Sequence, residues 1–133
     1  MDTARFNVGD TLPSKTLAVT QALINEYADI CGDYNTLHVD VAGMKDHPLF
    51  GGTIAHGTIN VEPVLQAICT VQGTKWPSAG TKIDLQFRAP VKPGMTISSV
   101  LVVKEKKADS LICDMTIQDQ DAKPCVKGTV EIK

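Results

Sequence analysis

The stretch Ile54-Ala-His-Gly-Thr-Ile-Asn-Val-Glu-Pro-Val-Leu-Gln-Ala-Ile-Cys-Thr-Val71 decides how the rest of the chain folds. Ile59, Val61, Val64, Leu65, Ala67, Ile68, Cys69 and Val71 fall nearly all round a helix predicted over 54–71, so that helix needs cover on most sides. Gly73 supplies its stop. The cover comes from the second half of the chain, where the hydrophobic period changes to two. Ile83, Leu85, Phe87 and Ala89 alternate with Lys82, Asp84, Gln86 and Arg88, the pattern of a half-buried strand. Pro93-Gly94 makes a turn, a second strand runs from Met95 to Lys104, and Ala108-Asp109-Ser110 turns the chain into a third, where Leu111, Cys113, Met115 and Ile117 share a face. After a turn at Asp119 to Lys123, a last strand puts Val126, Val130 and Ile132 inward. An antiparallel meander with one dry face is predicted, wrapped around the helix of residues 54 to 71. Helices first and strands second make the class α+β rather than alternating β/α.

Upstream, Thr16 to Val19 is β-prone. Thr20 is placed to cap a helix carrying Leu23, Ile24, Tyr27, Ile30 and Cys31 at helical spacing, and Gly32 ends it. The whole chain has 133 residues, which fits one domain spanning 1–133. Thirteen Lys and Arg against 15 Asp and Glu give a formal charge of −2, and no basic run exceeds Lys106-Lys107. That balance lacks the electrostatic footprint of a nucleic-acid partner and disfavours an anionic membrane surface. No segment approaches the ~20 continuous apolar residues of a membrane span, and the N-terminus lacks a signal-peptide core. Cys31, Cys69, Cys113 and Cys125 form no CxxC pair and lie in apolar stretches, so buried, reduced thiols in the cytoplasm are expected rather than a disulfide framework or zinc site.

Between the helices lies Tyr27-Ala-Asp-Ile-Cys-Gly-Asp-Tyr-Asn-Thr-Leu-His38. It places a carboxylate, a carboxamide and an imidazole within six residues of a loop, and loops on a rigid scaffold are where such groups act. If the chain turns at Asn35-Thr36, Asp33 and His38 face one point, where the two can hold, deprotonate and reprotonate a water molecule. Asn35 fixes the turn through its side chain. The bland reading is that 32–35 is only a turn, with Asp33 satisfying backbone amides and His38 capping or packing. His47 and His56 have no second ligand at metal spacing and read as loop and packing histidines, so no metal is expected.

Gly32, Asp33, Asn35, Leu37 and His38 resemble the signature of the MaoC-like hydratases, the (R)-specific enoyl-CoA hydratase or hydratase 2 family, usually written Gly-Asp-x-Asn-Pro-Leu-His; Thr36 replaces the proline. Phe50-Gly-Gly-Thr-Ile-Ala-His-Gly57 is similar to the family's entry into the central helix, and Asp84-Leu-Gln-Phe-Arg-Ala-Pro-Val-Lys-Pro-Gly94 more loosely to a later strand and turn. The resemblance implies a single-domain hot-dog fold and a hydro-lyase that adds water across a trans-2-enoyl-CoA thioester, reversibly. It implies that Asp33 and His38 activate the water. Gly57, at the start of the central helix, offers an oxyanion donor, and Asn35, Ile54 and His56 are carried over as substrate-binding positions. No cofactor is implied, since coenzyme A is part of the substrate; the implied assembly is a homodimer, possibly a higher oligomer.

Two features depart from that pattern. Thr36 loosens the loop that carries the pair, and Glu62-Pro63 is expected to kink the central helix. Glu62 is read as a solvated residue, with a polar group in the cleft as the other reading. Trp76-Pro77 is expected to cover the helix end, and Lys104 to Lys107 to be a solvated strand end. Two other functions stay open: a hot-dog thioesterase using Glu62, and a non-catalytic subunit supporting a catalytic partner.

Overall fold

The apolar stretch 54–71 divides in two in the structure, a computed structural model that describes residues 1–133. Residues 53–56 are irregular, 57–58 turn, Ile59–Val61 form a single 3-10 turn, and only then does helix α4 run, from Glu62 to Gln72. The reason is Pro63. Lacking an N–H, it is tolerated only in the first turn of a helix, and it stands in that turn of α4. The expected kink is therefore absent, and the expected helix start at residue 54 moves to 62. Gly73 ends α4 in the left-handed region, φ 68°, with its amide on the Cys69 and Thr70 carbonyls. Burial of α4 is also narrower than the composition suggests. Pro63, Val64, Ala67, Ile68 and Val71 form one buried stripe, while Glu62, Gln66 and Thr70 form an exposed row.

The sheet comprises β1 (Thr16–Ala18), β2 (Lys82–Phe87), β3 (Thr96–Lys106), β4 (Leu111–Gln118) and β5 (Pro124–Ile132). Its order is β1-β3-β4-β5-β2, antiparallel throughout. The meander holds for β3, β4 and β5 only. β2 crosses to the far edge and pairs with β5, because β1 and an isolated bridge from Thr11 to Val102 occupy the other edge of β3. Gly128 permits this pairing: a β-carbon there would overlap the Asp84 carbonyl oxygen of β2.

Ile97, Leu101 and Val103 of β3, the inward β4 row Leu111, Cys113, Met115 and Ile117, and Val126, Val130 and Ile132 of β5 close over the α4 stripe in one core. Each buried Ile or Leu contributes about 1.5–3 kcal/mol. This is the hot-dog arrangement, an antiparallel sheet around a central helix. Two surface expectations change. Cys31 is exposed and Cys69 half-buried, leaving Cys113 and Cys125 as the buried thiols. Trp76 covers nothing and is 81% exposed. No helix is long and apolar enough to cross a membrane.

Helix α1 (Gln21–Cys31) starts on Thr20, whose side chain accepts from the Leu23 amide, and stops at Gly32, φ 74°. Only Ile24 and Ala28 are buried in it, and Ile30 and Cys31 face outward. Two short helices that the sequence left as loop follow: α2 (Thr36–Val39) and α3 (Val41–Met44).

Candidate active site

Gly32 reverses the chain out of α1, and two side chains then build the next turn. Asp33 Oδ1 accepts from the Asn35 amide at 3.2 Å, and Asn35 Oδ1 accepts from the Leu37 amide at 3.0 Å, capping α2. Asn35 thus fixes the turn through its Oδ1, and it lines neither of the two chambers beside His38. Thr36 is the first helical residue, the place where proline is favoured for its preset φ, and with the cap in place α2 forms without it.

His38 lies in α2 with its ring held from two sides. Its Nδ1 is 2.8 Å from the Ile54 carbonyl oxygen, so Nδ1–H donates, and in the neutral ring that leaves the lone pair on Nε2. The Ile54 amide in turn donates to the Leu37 carbonyl at 2.9 Å, tying the 53–57 segment to α2. Behind α2, Gln21 Nε2 donates to the His38 carbonyl at 2.8 Å, and Thr53 Oγ1 donates to Gln21 Oε1 at 2.6 Å. His38 Nε2 faces Asp33 Oδ2 at 3.8 Å, with the His side chain 13% and the Asp side chain 53% exposed. That gap is too long for a direct hydrogen bond. A water 2.8 Å from both atoms would see them at an angle of about 85°, within hydrogen-bonding reach of each.

His56 is almost wholly buried. Its Nε2 meets the Asp33 carbonyl at 2.9 Å, and its ring stacks on His38 with centroids 3.9 Å apart and planes at 26°. Tyr27 also packs against it, tilted, with centroids 4.8 Å apart, and Tyr27 Oη bonds Thr58 Oγ1. His56 therefore holds the Asp33 backbone and the His38 ring in place. Ligand atoms of Asp33, His38 and His56 lie within 4.8 Å of one another. The two imidazoles are stacked, however, with planes at 26°, and each spends one nitrogen on a backbone carbonyl, leaving His38 Nε2 and the buried His56 Nδ1.

Gly57 precedes the 3-10 turn rather than opening the central helix, so the expected support from a long helix dipole is absent. Its amide nonetheless bonds to nothing in the protein. It is shared, with His38 and Phe87, by two adjoining chambers. One, of about 390 Å³, adds Tyr27, Cys31, Asp33, His56 and Thr58. The other, of about 360 Å³, is more apolar, with Phe50, Ile54, Ala55, Ala89 and Pro90 among its walls. Of the expected site residues, Asp33, His38, His56 and Gly57 meet at the first chamber; Ile54 lines the second and orients His38 through its carbonyl. Phe87 was missed. It alternates like a core residue but is 55% exposed at the end of edge strand β2, and strand periodicity cannot distinguish an inward face from an edge that overhangs a cleft. Glu62 is exposed, accepts from Gln66 Nε2 at 3.0 Å and lines neither chamber. His47 is a loop histidine, its Nδ1 taking the Leu49 and Phe50 amides at 3.2 Å each.

Together the groups can hold a polarised water beside an apolar slot, and Gly57, whose amide has no protein partner, lines the same space. The chain matches the family model described as MaoC like domain over residues 6–122. It is 31% identical over 123 residues to 3-hydroxyacyl-thioester dehydratase Z of Mycobacterium tuberculosis, covering 90% of this chain and 76% of that protein. Among solved structures it resembles unliganded R-hydratase PhaJ1 from Pseudomonas aeruginosa, with TM-score 0.83, 29% identity, and coverage of 98% of this chain and 83% of the other. The (R)-hydratase from A. caviae shares the fold, with TM-score 0.82 at 21% identity and 98% of each chain covered.

Proposed function

The chain belongs to the MaoC-like dehydratase family, and from that premise we propose that it is an (R)-specific enoyl-CoA hydratase, interconverting a trans-2-enoyl-CoA and a 3-hydroxyacyl-CoA. The observation that carries the reading is the 3.8 Å gap between His38 Nε2 and Asp33 Oδ2, opening on the chamber that also holds the free Gly57 amide. Water bound in that gap gives a proton to the pair as its oxygen bonds to C3. The C2–C3 π electrons move toward the carbonyl, and negative charge gathers on the thioester oxygen. The Gly57 N–H receives that oxygen, and being fixed it needs no reorganisation as charge develops. The proton held by the pair goes to C2, the carbonyl re-forms, and Asp33 and His38 end as they began. The reverse sequence is dehydration.

Ile54 and His56 serve this chemistry by holding His38 and Asp33, and the second chamber accommodates the acyl chain. The exposed Phe87 at the cleft mouth fits cover by a second copy, so the proposed assembly is a homodimer. Thioester hydrolysis through Glu62 is the poorer reading, because that carboxylate is solvated away from both chambers.

The test is purified protein with crotonyl-CoA and a series of longer enoyl-CoA esters. Loss of the conjugated absorbance without release of free thiol, yielding the (R)-3-hydroxyacyl product, is expected. Thiol release, an (S) product or inactivity on every ester would overturn the proposal.

A further inference from the structure

One buried polar side chain in this protein bonds to nothing. Thr3, Thr53, His56, Asn60, Ser99 and Ser110 are the buried polar residues. Thr3 donates to Lys107 O, Thr53 to Gln21, and Ser110 to Glu131; His56 bonds the Asp33 carbonyl through Nε2 and leaves only its Nδ1 without a partner, and Ser99 Oγ accepts from the Lys15 amide. Asn60 is 3% exposed, its Oδ1 is sealed with no partner, and its amide nitrogen makes no hydrogen bond either. An unsatisfied buried amide is destabilising and rare, and a leucine of similar size would fill the place better. Stability does not explain this residue.

Its position does. Asn60 is the middle residue of the 3-10 turn, and its backbone amide closes on the Gly57 carbonyl at 3.1 Å. Residues three apart in such a turn eclipse, so the carboxamide stands on the side of the chain where Gly57 has no side chain. It lines the second chamber together with His38, Gly57 and Phe87. With Oδ1 the sealed end, Nδ2 is the end toward the chamber. Two unused donors, the Gly57 N–H and Asn60 Nδ2, therefore flank one space beside His38.

We propose that Asn60 is a further catalytic residue, whose Nδ2 donates to the thioester oxygen alongside the Gly57 amide and completes a two-donor oxyanion site. The inference rests on the hydratase reading. In the step concerned, the water oxygen bonds to C3, the C2–C3 π pair becomes the C1–C2 bond of an enolate, and the carbonyl π pair moves to oxygen. Asn60 exchanges no atoms; it stabilises the oxygen until its electron pair returns and C2 takes the proton. Side-chain amides are established donors in such sites.

The experiment measures kcat and KM on crotonyl-CoA, with thermal melting, for the parent, Asn60→Leu, Asn60→Asp and Asp33→Asn. Expected for Asn60→Leu is a kcat about 10² to 10³ lower, with KM within about threefold and a Tm equal to or up to ~5 °C above the parent's. Asn60→Asp loses at least as much at neutral pH and regains kcat, relative to the parent's own profile, as acidification protonates the new carboxyl into a donor. A leucine variant with kcat within threefold of the parent, while Asp33→Asn is inactive, overturns the inference and leaves the hydratase reading standing. If Asn60→Leu melts well below the parent, recovery of Asn60→Asp on acidification still supports the donor role; no recovery assigns Asn60 to structure. A parent inactive on all enoyl-CoA esters ends both proposals.

Discussion

Replacing Gly57 by valine separates a donor site from a packing glycine. A β-carbon at position 57 would stand 2.9 Å from Phe87 Cζ and 3.2 Å from Cε1. Ordinary carbon contact is about 3.5–4.0 Å, so the ring has to retreat by roughly 0.5–1 Å. Phe87 can do so, since it is 55% exposed at a strand end, and the Gly57 backbone does not adopt a left-handed φ that would itself resist a side chain. The fold should therefore lose no more than about 1–2 kcal/mol, a few degrees in Tm for a chain of this length. The cleft should lose far more. Valine's branches intrude on the space that Gly57 lines with His38 and Phe87, and losing one oxyanion contact costs about 10²–10³ in turnover, roughly 2.7–4 kcal/mol. Steady-state kinetics on crotonyl-CoA, melting and sedimentation provide the three readouts, and Gly57→Val/Phe87→Ala adds a control. If the ring alone were the obstacle, the double variant would recover; if the methyls displace the carbonyl, it stays slow. A Gly57→Val protein that keeps full turnover, or one that loses its fold or assembly in proportion to its activity, would refute the reasoning.

Asp33→Asn and His38→Gln should each lower turnover by roughly a hundredfold to ten-thousandfold in folded protein, and the double variant should lose far less than the product. Full activity in either single variant would remove the water mechanism. Gly128→Ala should detach β2 from β5, because its β-carbon would overlap the Asp84 carbonyl; a fall in Tm of ten degrees or more is expected, and an unchanged melt would contradict the register. Thiol labelling of native protein should modify Cys31 first and leave Cys113 unreacted, since burial and then the Asp114 charge push the Cys113 thiol up to about 11. Between the ordinary thiol value near 9 and about 11, the unfolded chain sheds this proton while the native protein keeps it, so that contribution to stability declines as pH rises through the window and is level below it. All four cysteines should be free by mass spectrometry, and reductant should leave activity unchanged.

How much was legible in advance follows from how local each feature is. Thr20 and Gly32 bound α1 through their own backbone preferences, and Asn35 caps α2 through a bond two residues long, so each could be read from a few neighbouring residues. The alternation in β4 and β5 fixed which faces are dry, because a pleat repeats every two residues whatever it pairs with. The Asp33-to-His38 spacing was equally local, and the family resemblance gave it meaning. Long-range partners carry no such periodic mark. That β2 would leave the meander for β5 depended on Gly128 lying opposite Leu85, forty-odd residues away. The true start of α4 depended on how residues 53–57 are tied to α2 and to Val91, which let Pro63 begin a helix instead of bending one. The stacking of His56 on His38 and the unpaired amide of Asn60 exist only once that segment is folded back. Burial, and the hydrogen bonds it leaves made or unmade, belong to the whole chain rather than to any stretch of it, and so the tertiary structure alone decided which polar groups are free to meet a substrate.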